Sequence, residues 1–215
     1  LARGFHDFYG FVNTGIDYYT HERYGVPSMY RDNAPTLEDR GTYCTDLFDR
    51  EAMRFLMKNR RKPFFLYLPF NVPHGASNLE PIIRGAAQAP EKFKKLYPKL
   101  QAQAGTEERA YRRYGGKVFT MLNKPAKRLE FVGSVTAMDA SIGRVLDFLD
   151  NQGLARDTLV IFLSDNGGGG AADNTPLRGA KGQVFEGGIR VPCIVRWPAR
   201  IPAGKTTDAF LTSLE

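Results

Sequence analysis

Thr158-Leu-Val-Ile-Phe-Leu163, followed at once by Ser164-Asp165-Asn166-Gly-Gly-Gly-Gly170, is the stretch that decides the fold class. Its apolar run is continuous rather than alternating and has the length of a strand covered on both faces. The Asp-Asn-Gly sequence behind it ends any regular element. Upstream, Val135, Met138, Ile142, Val145, Leu146 and Leu149 recur at helical spacing, with Asp139, Arg144, Asp147 and Asp150 on the other side and Gly153 as a C-terminal stop. Helix then strand, joined by the short turn 151–157, is the second half of a βαβ crossover and predicts a largely parallel sheet.

Two further apolar runs fit the same scheme. Phe64-Phe-Leu-Tyr-Leu68 lies between Pro63 and Pro69 and reads as a strand buried on both faces. Val191 to Trp197 is β-branched at Val191 and Val195 and stops at Pro198. A second amphipathic helix is predicted over 46–56, with Leu47, Phe48, Met53, Phe55 and Leu56 as its apolar positions, leading through a basic turn into the Phe64 run. The class is therefore α/β. On a prior of about 150 residues per domain, the 215-residue chain corresponds to one main unit. Residues 77–130 lack strong periodicity and read as a helical insertion or loop. The first 45 residues are aromatic and turn-rich.

Hydrophobic residues at 42% and charged residues at 25% exclude disorder, collagen and coiled coil. No run approaches the ~18 apolar residues of a membrane helix, and no secretion pattern follows Leu1. Thirty Lys plus Arg against 23 Asp plus Glu give a formal charge of +7, which favours anionic partners. The excess is concentrated at 58–62, 92–99, 109–117 and 124–128, read chiefly as solvated faces. No recognition motif accompanies it, which argues against a nucleic-acid binder. Cys44 and Cys193 have neither metal-site nor redox spacing and are either buried thiols or one bridge, burial being favoured because Cys193 sits in an apolar run.

Ligands of open parallel sheets bind beyond the carboxyl ends of strands, so the polar residues there are the first candidates. Asp165 and Asn166 place two hard oxygen donors beside four glycines, a setting for Ca²⁺ or Mg²⁺, although the same residues also make plain turns. His74, in Pro69-Phe-Asn-Val-Pro-His74-Gly75, is carried on a loop stiffened by two prolines. An imidazole with a pKa near ~6.5 can donate a proton or bond an anion at neutral pH, or simply be exposed. His6 and His21 read as structural. Lys181, in a Gly-punctuated stretch, offers a point charge for a phosphate or sulfate oxygen, or is a surface lysine. Glu186 and Arg190, four apart, read as a scaffold pair.

Lys62-Pro-Phe-Phe-Leu-Tyr-Leu-Pro-Phe-Asn-Val-Pro-His74, Ser164-Asp-Asn-Gly-Gly168 and Gly179-Ala-Lys-Gly-Gln-Val-Phe-Glu-Gly-Gly-Ile-Arg-Val-Pro192, together with Arg3-Gly-Phe-His-Asp-Phe-Tyr-Gly10, resemble the sulfatase family of the arylsulfatase and N-acetylgalactosamine-6-sulfatase type. The resemblance runs in the family's order over nearly the whole chain and is loosest at 77–130. It implies an alkaline-phosphatase-like sandwich, a mixed and mostly parallel sheet flanked by helices, and hydrolysis of a sulfate ester. It also implies a formylglycine nucleophile made from a Cys/Ser-x-Pro-x-Arg motif, acting at a Ca²⁺ site. On that pattern Asp165 and Asn166 match metal ligands. His74 matches the histidine that contacts the sulfate or the leaving oxygen, and Lys181 the lysine that holds the sulfate.

This sequence contains no Cys/Ser-x-Pro-x-Arg motif, no early Asp-Asp pair and no Gly-Lys-Trp-His segment. The family carries these before the stretch that here begins at Arg3, so residues 1–215 are expected to be a partial sulfatase catalytic domain, inactive and poorly stable alone. The nucleophile is expected in the missing N-terminal segment. The expected partner is a sulfated small molecule or glycan, with no nucleic acid and no membrane span. Residues 77–130 are the expected variable, substrate-side region, and the parent protein is expected to be exported or lysosomal. Two alternatives stay open: a phosphodiesterase or phosphonate hydrolase of the same superfamily, and a non-catalytic binder of sulfated polysaccharide.

Overall fold

The computed structural model describes residues 4–77, 86–105, 110–114 and 117–212. The chain divides into two compact units, Leu1–Val145 with Gly168–Asp173, and Leu146–Gly167 with Asn174–Glu215.

The first unit opens with five short strands, β1 (Tyr9–Phe11), β2 (Glu22–Arg23), β3 (Val26–Pro27), β4 (Met29–Arg31) and β5 (Ala34–Pro35). β4 is the centre of an antiparallel sheet of order β1-β4-β5, with Tyr9 opposite Arg31 and Phe11 opposite Met29. β2 and β3 form a hairpin turned by Tyr24 (φ 50°) and Gly25 (φ 84°). Two successive left-handed residues match the twist of the strands they join.

Helix α1 (Cys44–Asn59) buries Phe48, Ala52 and Leu56 at successive fourth positions, with Cys44 and Leu47 beside them. This is the helix predicted over 46–56, extended at both ends. Arg50 projects from it to Asp39 and holds that carboxyl down to about 2, while Tyr9 donates to the same carboxylate at 2.5 Å. The aromatic N-terminal segment packs onto α1 to form the core, which includes Ile16, Tyr18, Met29, Tyr43, Phe48 and Val72.

Between residues 86 and 121 lie α2 (Glu91–Lys94), α3 (Pro98–Ala104) and an antiparallel hairpin of β6 (Ala110–Tyr114) and β7 (Lys117–Met121). The hairpin lies in the stretch read as helix or loop, where a run of charged residues hides its β-forming Tyr, Val and Phe positions. Arg109, from the basic cluster 109–117, lies outside the described residues.

Helix α4 (Lys124–Asn151) contains the predicted 135–149 helix but starts earlier. The Asn123 side chain accepts the Ala126 N–H at 2.7 Å, which is the N-cap bond such a start needs. Its three most buried side chains are small, Ser134, Ala137 and Ser141, and Gly133 is buried beside them. A Cβ at Gly133 would lie 2.9 Å from the Ala89 methyl, so a glycine is what lets helix and chain approach there. Ser141 and Arg144 both donate to Asp49, tying α4 to α1.

The second unit takes up the end of α4, a 3-10 turn (Ala155–Asp157), β8 (Val160–Leu163), the one-turn helix α5 (Glu186–Ile189) and β9 (Cys193–Arg196). β8 and β9 pair antiparallel, with Val160 opposite Arg196 and Leu163 opposite Cys193.

Three expectations are corrected in detail. Every ladder among the described residues is antiparallel. An apolar run identifies a strand but carries no information about the direction of its partner. Residues 64–68 join no described ladder, and alternate residues are exposed, Phe65 at 73% and Tyr67 at 69%, instead of being buried on both faces. Cys44 is a buried free thiol as expected, whereas Cys193 is free and exposed, as are Ile194 and Val195 beside it on β9. The α/β class itself holds.

Candidate functional site

Strand β8 delivers Asp165 and Asn166 directly from its carboxyl end. Ser164 Oγ donates to the Asn166 carbonyl at 3.0 Å and closes the turn, and the Asn166 amide donates to Asp165 Oδ2. Asp165 is exposed and Asn166 half-buried. A carboxylate and an amide oxygen at adjacent positions are hard donors of the kind Ca²⁺ and Mg²⁺ take. They fit as part of such a donor set and are too few to complete it. Among the described residues there is no group of three or more His, Cys, Asp and Glu side chains able to hold a metal ion.

Lys181 stands on a loop fastened to that turn through its backbone. Gly167 N–H donates to Gly188 O at 2.9 Å, and Gly187 N–H to Arg178 O at 2.7 Å. A Cβ at Gly167 would sit 2.0 Å from Gly187 O, one at Gly187 2.3 Å from Gly179 O, and one at Gly188 2.1 Å from Gln183 O. Three stretches of main chain thus meet with no room for side chains. The space a side chain would need is taken by neighbouring main chain at Gly187 and Gly188 and by the Phe185 side chain at Gly179. Gly170, by contrast, has open space around its α-carbon.

The loop is stiffened further by Gln183, whose side-chain oxygen accepts the Ala180 N–H at 3.0 Å, and by Asn174, which donates to Gly179 O at 3.1 Å. The Arg178 guanidinium lies over the Phe185 ring at 3.9 Å. Lys181, between Ala180 and Gly182 (φ 85°), is left exposed. Glu186 and Arg190 do pair, at 2.9 Å across α5, and both are exposed, consistent with a part in shaping the loop.

His74 belongs to the first unit and follows the stretch 64–70. Its N–H donates to Asn71 O at 2.9 Å, closing a tight turn around Val72 and Pro73. Its Nδ1 lies 3.0 Å from the Gly75 carbonyl. A carbonyl only accepts, so Nδ1 carries the hydrogen and Nε2 is the nitrogen left to work. The ring is exposed. His21, read as structural, is buried: its Nε2 donates to Thr42 O at 2.8 Å, and burial pushes its pKa below the usual value.

The sulfatase family model matches residues 2–215. The chain belongs to the sulfatase family.

Mouse steryl-sulfatase is 34% identical over 72% of this chain and 20% of its own length. Mouse N-acetylgalactosamine-6-sulfatase is 29% identical over 100% of this chain and 38% of its own. The sulfatase chain thus spans between a fifth and two fifths of the length of these curated relatives. Among solved structures, Ps i-CgsB superposes with a TM-score of 0.71 at 29% identity, over 94% of this chain and 42% of that one. Its complex with k-i-k-neocarrahexaose matches with a TM-score of 0.70. The fold is accordingly the alkaline-phosphatase-like α/β fold of the sulfatases.

Asp165, Asn166 and the Lys181 loop are brought together by the glycine contacts of the second unit. The packing glycine Gly167 and, in the first unit, Gly15 and Tyr18 against His74 go unnoticed in the sequence. Only the density of glycines at 167–170 and 179–188 hints at a close backbone approach.

Proposed function

We propose that this chain supplies one half of a sulfate-ester hydrolysis site. The observation that carries it is the fastening of the Lys181 loop onto the Asp165-Asn166 turn through glycine backbone, which ties together the main chain bearing a cation, a carboxylate and an amide oxygen. Lys181 holds a sulfate oxygen as a point charge. His74, its Nδ1–H committed to Gly75 O, presents Nε2 to the ester's leaving oxygen and, as imidazolium, gives it a proton. Asp165 and Asn166 would hold Ca²⁺, or Mg²⁺, which when bound offsets the charge of the sulfuryl oxygens. A formylglycine nucleophile is to come from a Cys/Ser-x-Pro-x-Arg motif encoded before Leu1. An Asp-Asp pair, that motif and Gly-Lys-Trp-His, found upstream in that order, support the proposal; an unrelated domain there overturns it.

The substrate class is a sulfated glycan, with residues 77–130 on the substrate side of the partial catalytic domain 1–215. The carrageenan-oligosaccharide complex of Ps i-CgsB and the +7 charge favour it. Lys92 and Lys95 are exposed for this purpose, whereas Lys94 is engaged by Glu130 at 3.1 Å. The family's usual setting points to an exported parent. No described helix is long and apolar enough to cross a membrane.

Calorimetric titration of the chain with a sulfated oligosaccharide in calcium tests the site directly. Lys181→Ala and His74→Ala are each expected to weaken binding about tenfold, the loss of one charge-assisted contact. Unchanged affinity in both variants overturns the assignment. Equal competition by a phosphorylated analogue would move it to the phosphodiesterase or phosphonate hydrolase alternative.

A further inference from the structure

Tyr18 is fully buried, yet its hydroxyl lies at the His74 turn, 56 residues along the chain. It donates to the His74 carbonyl at 2.7 Å and lies 3.3 Å from the Asn71 carbonyl, so one O–H bridges both ends of the turn. Tyr18 itself is held from both sides of its own backbone. Its N–H donates to Gln88 Oε1 at 2.7 Å, and its carbonyl accepts the Cys44 N–H, at the start of α1, at 2.8 Å. Gln88 is fixed in turn by Asp17, to which its amide donates at 2.8 Å, and by Tyr43, whose hydroxyl donates to the Gln88 carbonyl at 2.9 Å. The Tyr18 ring packs against Tyr43 with centroids 5.7 Å apart.

On its other side the imidazole meets Gly15. A Cβ there would lie 3.2 Å from His74 Nδ1 and 3.3 Å from Ser77 Oγ, tighter than an ordinary contact. The ring edge is thus confined between a backbone without a side chain and its own Gly75 carbonyl.

We infer that Tyr18 is the positioning residue of His74: its hydroxyl fixes the turn so that Nδ1–H stays on Gly75 O and Nε2 faces outward. The inference deepens the proposed function and rests on it only for what Nε2 meets. Tyr18 touches no reacting atom. A hydroxyl gripping two carbonyls fixes the path of the main chain, and the path decides whether the Nδ1 to Gly75 bond can form. That bond decides the tautomer.

The chain has only three histidines, so ¹⁵N-histidine NMR resolves each ring, with His74→Gln assigning His74. Wild-type protein is expected to show His74 as a single Nδ1–H tautomer and His21 as the Nε2–H tautomer. In Tyr18→Phe the single-tautomer signal of His74 is expected to be lost while His21 is unchanged, showing that the fold survives. Retention of the His74 signal with His21 unchanged overturns the inference. Should Tyr18→Phe disturb His21 as well, the wild-type hydroxyl decides. A slowly exchanging Tyr18 proton, read as a deuterium isotope shift on its ring carbon, supports the inference, and its absence overturns it. Inorganic sulfate is a separate arm. It is expected to move His74 Nε2, and a null response overturns the functional assignment of His74 while leaving its positioning by Tyr18 intact.

Discussion

His21 shows how one side chain sets a pH limit on the fold. Burial disfavours its imidazolium and lowers its pKa below the usual ~6.5, while its Nε2–H stays on Thr42 O. Above that pH neither folded nor unfolded chain holds the proton. As pH falls through ~6.5 the unfolded chain takes it up first, so stability declines toward acid. Urea unfolding is therefore expected to give a lower midpoint at pH 5 than at pH 7. His21→Asn, which suits the positive φ of 60°, is expected to flatten that part of the profile at a lower overall stability. At this scale the sequence names as candidates the polar residues that follow an apolar run, Asp165, Asn166 and His74. It was silent on Tyr18 and Gly15, because a contact spanning 56 residues leaves no local trace.

Helices α1 and α4 were both legible, for different reasons and to different extents. α1 carries large apolar residues at helical spacing; of the five the pattern names, Leu47, Phe48 and Leu56 are buried and Met53 and Phe55 half-buried. Leu56 is 1% exposed and its neighbour Met57 is 46% exposed. Leu56→Ala is expected to cost about 2–5 kcal/mol in chemical denaturation, and Met57→Ala within about 0.5 kcal/mol. A reversal of that order would mean the helix face is wrongly assigned. In α4 the closest packing falls on Gly133, Ser134, Ala137 and Ser141, which a search for large apolar residues passes over. Its first turn, with Lys124, Pro125, Lys127 and Arg128, looks like a basic loop; the N-cap role of Asn123 is the signal that could have extended it. The β6–β7 hairpin was hidden by the same kind of charge run.

For the molecule as a whole, class and family were legible, whereas strand direction and partner were not, since these depend on which strands meet. Ile161, Leu163 and Ile194 on the β8–β9 ladder are more than half exposed, as are Phe65 and Tyr67 in the first unit. Apolar area of this kind binds hydrophobic dyes and promotes association. The isolated chain is expected to enhance ANS fluorescence under native conditions. The double variant Ile161→Thr and Ile194→Thr is expected to reduce that signal while changing stability by no more than about 0.5 kcal/mol per site. Unchanged fluorescence in the variant would place the dye elsewhere.

The glycines at 167, 179, 187 and 188 also bear on how such a protein can diverge. At 167, 187 and 188 a Cβ would lie within 2.3 Å of a neighbouring carbonyl oxygen, and at 179 within 2.8 Å of the Phe185 Cβ, so a side chain at any of the four is expected to force the loop open. Val184, 84% exposed on the same loop, has no such restriction. New ligand preferences in this part of the molecule must therefore enter through Val184 and the exposed neighbours of Lys181, while the four glycines keep the spacing that any descendant inherits.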